Sequence, residues 1–536
     1  MNILLKNGCI YDGTGSAPYI GDILIKNERI SQVGKVISDS LTDHFDRVID
    51  MNGLSVAPGF IDGHSHNDWY AIKKEPLPYF EPFLRQGITT FVTGNCGLSE
   101  TGFDKSSPYV ETLGGGLFGY RDTTGKYGTI NEFFQAIDGK TPCNIAALIG
   151  HCSARAGVMG RQNREMTQAE ESSMLAVLEK GLQQGACGIS LGLMYEPGIY
   201  ADSRELKKVA ALCEKYDRPM TVHPRANSAV SMAYKELFGR SHLLRAVDEL
   251  VEIARGTKLK LHYSHAIFVG RRTFGDKDEF IRSMHNLRQE GVDAMFDIYH
   301  ELMGVSTITV ILPPWFQSMS ISERKKPWNR LKLFVLTTAT SKLLGFGFND
   351  IEVAYVGEGY KQYEGKTVHQ IAAELGKSSL DTYLYLCDIS NFKGRINLSP
   401  YSTPEIIEQL SKDDQCLYMT DAWVEECGIQ NPAIYDCYPK FLKHSLLGRG
   451  DTMPRTIKKM TGGIADRFGI PERGYLKRGY FADITIFDEN KLRDGNPDQG
   501  KAFGIEKVFI NGKLVLEGDI LNEKELKTSG AAVRAK

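Results

Sequence analysis

Residues 59–68 read GFIDGHSHND, an apolar run that ends in His64 and His66 with Asp62 and Asp68 on either side. In a strand, residues two apart point to the same face, so the two imidazoles converge on one point in space. Two metal-binding side chains at the end of an apolar strand raise the same question for every other apolar run in the chain.

From residue 54 to residue 421 short apolar runs alternate with amphipathic stretches, the mark of repeated βα units around a parallel sheet. Eight runs stand out: LSVAPGFID, TTFVTGN, NIAALIG, CGISLGLMY, PMTVHP, LKLHYSH, DAMFDIY and CLYMTD. Eight predicts a closed α/β fold, a (β/α)8 TIM-like barrel, over residues 57–465. Two of the intervening helices open on capping boxes, Thr167 with Glu170, and Asp202 or Ser203 with Glu205. The two ends of the chain alternate polar and apolar residues around tight turns, Asn511-Gly512 among them. Residues 1–56 and 466–536 are therefore expected to form one small β-sandwich built from both termini. The longest interruption, from about 304 to 410, predicts a lid or substrate insertion at the barrel mouth, centred within about 304–368.

The 536 residues suit a large barrel with a smaller companion, and 42% hydrophobic with 24% charged residues is ordinary for a globular protein. A net charge of −2 leaves no electrostatic footprint for nucleic acid, and no apolar stretch approaches a membrane span. A small molecule is the expected partner, with no nucleic acid and no membrane; the sequence is compatible with a homo-oligomer. No secretory h-region or cleavage site follows Met1, and ten cysteines scattered singly suit a reducing compartment, so the expected location is cytoplasmic.

Barrel active sites lie at the C-terminal ends of the strands. Run one ends in His64 and His66, run two in Cys96, run five in His223, run six in His265 and run eight in Asp421. Each has an ordinary reading: a core histidine, as expected for His262; a small buried hydrophobe for Cys96; a loop cap for Asp421. Six such residues at equivalent ends of separate strands point instead to a metal site, and imidazole with thiolate favours Zn2+ over magnesium or calcium.

These residues resemble a known group. VAPGFIDGHSH is similar to the first-strand signature of the amidohydrolase superfamily. TFVTGNCG, GHCSARAGVMG, GISLGLMYEPGIYAD, VHPR, FDIYHELMGVSTITVILPPW and KMTGGIADRFGIPERGYLKRGYFADITIFD resemble its N-acyl-D-amino-acid deacylase (D-aminoacylase) family, in order and over nearly the whole chain. The resemblance implies zinc-dependent hydrolysis of a linear amide, releasing a D-amino acid and a carboxylate. It implies that His64 and His66 bind one metal position and His223 and His265 the other. Cys96 would bridge where many relatives use a carboxylated lysine, and Asp421 would be the general base. It also implies that Tyr195 and Tyr299 line the substrate pocket. His151, Arg155 and Arg225 fall near the same rim, as groups for an oxyanion or a carboxylate or as structural supports.

The chain departs from the family at three rim positions. Ile267 stands where a lysine commonly follows the sixth-strand histidine, Tyr299-His300-Glu301 replaces Tyr-Pro-Tyr, and Asn431 to Ala433 replaces His-Pro-Arg. The substrate is accordingly less determined than the chemistry. Other readings are a dihydropyrimidinase-like or dihydroorotase-like cyclic amidase, which a lysine-free fourth run opposes, and a non-catalytic scaffold, which six retained ligands oppose.

Overall fold

The computed structural model describes residues 2–35, 45–110, 126–231, 233–234, 239–317, 319–496 and 501–536. The eight runs form eight parallel barrel strands: Phe60–Asp62, Ile88–Thr93, Asn144–Ala147 continued by Ile149–Gly150, Ile189–Gly192, Pro219–His223, Lys260–Tyr263, Asp293–Ile298 and Cys416–Tyr418. Each pairs in parallel with the next, from the first to the eighth. The seam between eighth and first is closed by side chains. Asp62 accepts hydrogen bonds from the Thr420 amide and hydroxyl at 3.0 and 2.5 Å, and Tyr438 donates to the carbonyls of Ile61 and Tyr418. The strands are buried on both faces, as apolar runs covered by helices require.

The capping box at Thr167 is present in both directions. At the next helix, Ser203–Lys215, Asp202 caps the Glu205 amide at 2.9 Å, but the Glu205 side chain turns away to His151 and Arg155.

The termini build one nine-stranded sheet. Asn2–Ile10 pairs with Tyr19–Lys26 and with Ser55–Pro58, and Ser55–Pro58 pairs with Ile484–Phe487, which joins the N-terminal strands to the C-terminal ones. Ile3, Leu5, Ile23, Ile25, Ile484 and Phe509 share its core. Asn511 and Gly512, both at positive φ, form the turn between Ile505–Ile510 and Lys513–Glu517. Two expected boundaries shift. Ser55–Pro58 carries the terminal sheet two residues past 56, and the helix Gly462–Phe468 straddles 465 because Ile464 and Phe468 pack beneath the barrel with Ile61, Val92 and Leu417. The tail adds a strand the sequence reading did not foresee: Ala532–Val533 pairs in parallel with Asn144–Ala147.

The insertion has its own core, including Ile308, Val353, Val368, Tyr383 and Ile396, and a sheet in which Arg395–Leu398 lies between Gly304–Thr307 and Ile351–Tyr355. It thus runs beyond residue 368, since its central strand comes last in the chain. It docks on the loop after the sixth barrel strand, where the Phe268 and Gly270 amides donate to the carbonyls of Tyr401 and Pro400.

Candidate metal centre

The C-terminal ends of five barrel strands bring six side chains together. Cys96 Sγ lies 3.4 Å from His64 Nε2, 3.5 Å from His223 Nδ1 and 3.7 Å from His265 Nε2. Asp421 Oδ1 lies 3.5 Å from both His64 Nε2 and His66 Nε2. Two three-residue groups result, His64 with Cys96 and His265, and His64 with His66 and Asp421, so His64 is common to both. Five of the six residues are buried; the Asp421 side chain, 22% exposed, is the most open of the six.

The donor set fits zinc. Tetrahedral zinc with ordinary Zn–S and Zn–N bonds sets sulfur and nitrogen about 3.6 Å apart, which is the spacing found around Cys96. The ring nitrogens that face Cys96, and that a shared ion would bind, are His64 Nε2, His223 Nδ1 and His265 Nε2. Burial, and then the neighbouring histidines, push His223 well below its ordinary pKa, whereas at His64 burial is outweighed by Cys96, Asp421 and Asp297, which raise its pKa well above the ordinary value. Burial raises the Cys96 thiol to about 11 although His64 opposes it, so a thiolate at neutral pH calls for a divalent ion beside it.

Local sequence explains the convergence. A Cβ on Gly192, at the end of the fourth strand, would lie 2.0 Å from the Cys96 carbonyl oxygen. The fourth strand presents no side chain there, and the Cys96 loop occupies the space. Beneath the site lies Asp297, which the sequence reading passed over. It accepts from the His265 amide at 2.5 Å, meets His262 Nε2 at 2.9 Å and stands 3.5 Å from His64 Nδ1. Its carboxyl is held far below the usual range because the His262 and His64 contacts outweigh the burial that opposes them. His262 is thus a core histidine, but one that orients the aspartate under two candidate ligands.

Of the rim residues, Tyr195 Oη lies 3.4 Å from His223 Nδ1, and Tyr299 is buried near Asp421; burial and then neighbouring negative charge raise both phenols well above their ordinary range. Ile267 is half-buried against the barrel core. Three others are engaged elsewhere. His151 and Arg155 both bind Glu205, at 2.6 and 3.2 Å, and Arg225 binds Glu249 and the carbonyls of Ile199 and Ala201. Asn431 caps the Ala433 amide at 3.0 Å, His300 meets His444 at 3.1 Å and Glu301 pairs with Lys440 at 2.7 Å. Trp423, which no motif marked, packs its ring edge-on to His66 at 5.5 Å.

Residues 47–388, more than half of the chain, match the amidohydrolase family. A D-aminoacylase of Alcaligenes xylosoxydans xylosoxydans is 26% identical over 96% of this chain and 94% of its own length. An N-acyl-D-glutamate deacylase of the same organism is also 26% identical, over 96% and 93%. The crystal structure of N-acyl-D-glutamate deacylase from Bordetella bronchiseptica, complexed with zinc and a phosphonate inhibitor, superposes with a TM-score of 0.76 at 24% identity, covering 99% of both chains.

Proposed function

Because the chain belongs to the amidohydrolase family, we propose that it hydrolyses the linear amide of an N-acyl-D-amino acid, giving the D-amino acid and a carboxylate. The observation that carries this reading is Asp421, a partly open carboxylate 3.5 Å from two buried imidazoles in a ring completed by Cys96, His223 and His265. Full-length relatives named as acyl-D-amino-acid deacylases support the substrate class.

Zinc, as one ion or two, held by His64, His66, Cys96, His223, His265 and Asp421, would lower the pKa of water from about 15.7 to near 7 and polarise the scissile carbonyl. Asp421 takes the proton from the attacking water and returns it to the leaving nitrogen, because an amide anion is too basic to depart unprotonated. Asp297 fixes the His64 ring and the His265 backbone from below. Tyr195 and Tyr299 remain protonated and donate hydrogen bonds to the substrate's amide or carboxylate. A cyclic amidase is disfavoured by Gly192 and a fourth strand without lysine. Eight of the ten free cysteines are buried, which suits a reducing cytoplasm, and no helix among the described residues is long and apolar enough to cross a membrane.

One observation favours a second reading. The guanidinium groups of Arg155 and Arg225 are taken by Glu205 and Glu249, and Ile267 supplies no charge, so the expected rim cations do not serve a substrate carboxylate. The same chemistry would then act on an amide without a free carboxylate. Amine release from zinc-loaded protein, measured on N-acyl-D-amino acids, their L-enantiomers, cyclic amides and carboxylate-free acyl amides, separates the readings. Turnover confined to the D-acids is expected; turnover confined to neutral amides selects the second reading, and turnover of cyclic amides alone overturns both.

A further inference from the structure

The helix Pro327–Leu344 in the insertion turns its apolar residues outward. Of its eighteen residues Leu333 is the buried one, while Trp328, Leu331, Phe334, Val335 and Leu336 are exposed, Trp328 at 73% and Val335 at 59%. At 3.6 residues per turn Trp328, Leu331 and Val335 share one face with Lys332 and Lys342, and the opposite face sets Asn329, Leu333 and Thr340 inward. A helix on a water-facing surface normally does the reverse. Five of the eleven exposed large hydrophobic residues among those described lie on this one helix, so they form a patch rather than a scatter.

The charge around the patch selects what covers it. From Arg324 to Asn349 the chain carries six cationic residues and no carboxylate; Lys326 pairs with Glu323 just before this stretch and Arg330 pairs with Asp381, while Lys325, Lys332 and Lys342 are exposed. Lys326 is held by Glu323 and Lys332 lies 4.4 Å over the Trp315 ring, yet a second copy of this face would still set like charges together, and a neutral apolar partner would bring no countercharge to Lys325, Lys332 and Lys342. An anionic surface over an apolar interior answers both features.

We propose that this helix docks the protein on an anionic lipid surface, with Trp328, Leu331 and Val335 entering the acyl boundary and the lysines meeting lipid phosphates. The lack of a spanning helix bears on crossing a bilayer, not on lying against one. The helix ends on the mouth side of the barrel. The Arg271 amide donates to the Gly345 carbonyl and the Arg271 side chain pairs with Asp350, both on the loop that follows His265 and Ile267.

The test sediments the full chain with phosphatidylcholine vesicles, with and without phosphatidylserine. Binding is expected to the phosphatidylserine vesicles, to weaken as salt rises, and to shift Trp328 emission to the blue. Two variants should each bind at least about tenfold more weakly, Trp328→Ser with Leu331→Ser and Val335→Ser, and Lys325→Glu with Lys326→Glu and Lys332→Glu. Circular dichroism checks that each is folded, and if the serine variant is not, the charge reversal decides alone. No binding to either vesicle, or equal binding to both, overturns the proposal. A concentration-dependent dimer that the serine variant abolishes would also overturn it and assign the face to a second copy.

Discussion

Cys96, His265 and Asp421 have φ of 55°, 37° and 47°, in the left-handed region that residues other than glycine avoid. Such backbone costs about 1–3 kcal/mol per residue and persists where the surroundings over-determine it. At Asp421 the surroundings include the His64 carbonyl, which accepts its amide at 3.1 Å; at His265 they include the Asp297 carboxylate. Replacing Asp297 with Asn should therefore loosen metal about 10–100-fold with the fold intact, read by competition with a chromophoric chelator. Unchanged affinity would reduce Asp297 to a core ion pair. Cys96→Ala should purify with less zinc by elemental analysis, since one thiolate serves three imidazoles. The six converging residues were legible because each ends an apolar run. Asp297 was not, because an aspartate inside the run DAMFDIY gives no sign in sequence that it faces inward beneath two histidines. The engagement of Arg155 and Arg225 was not legible, because their partners Glu205 and Glu249 come from helices whose inward faces the sequence does not specify.

At the scale of elements, Glu205 ties the helix His151–Met159 to the helix Ser203–Lys215 through two buried cations. Burial disfavours the charge on His151, yet contacts with Cys152 and Glu205 raise its pKa to about 9. Its folded value lies above the unfolded value, so the stabilisation is complete below about pH 6.5 and is lost as pH rises through 9. The melting temperature of the native protein should exceed that of His151→Gln at pH 6 and converge with it above pH 9; a constant difference would contradict the assignment. Glu205→Gln should cost about 3–5 kcal/mol in denaturant unfolding, because it strands a buried guanidinium. The sequence suggested a capping box here, and half of it exists. The acid at that position prefers buried cations to its own helix terminus, a tertiary choice that local spacing does not record.

Across the whole molecule, the donors come from the first, second, fifth, sixth and eighth strands, and His64 and His66 meet Asp421 across the seam between first and eighth, which has no ladder among the described residues. A metal there links both sides of the seam, so its removal should lower stability as well as activity. At a hundredfold excess over the dissociation constant the bound ion contributes about 2.7 kcal/mol, visible as a fall in melting temperature after dialysis against chelator and its recovery with zinc. Barrel, terminal sheet and insertion were legible from periodicity, since alternation and run length are local. The tail strand Ala532–Val533 was not, because two residues carry no period, and the insertion outran residue 368 because its sheet closes only with Arg395–Leu398. The most direct test of the central claim is the rate of amine release by Asp421→Asn measured beside its metal content. Proton transfer by Asp421 predicts a rate lower by about 10²–10⁴-fold with metal retained. A near-normal rate in a metal-loaded, folded variant would contradict it.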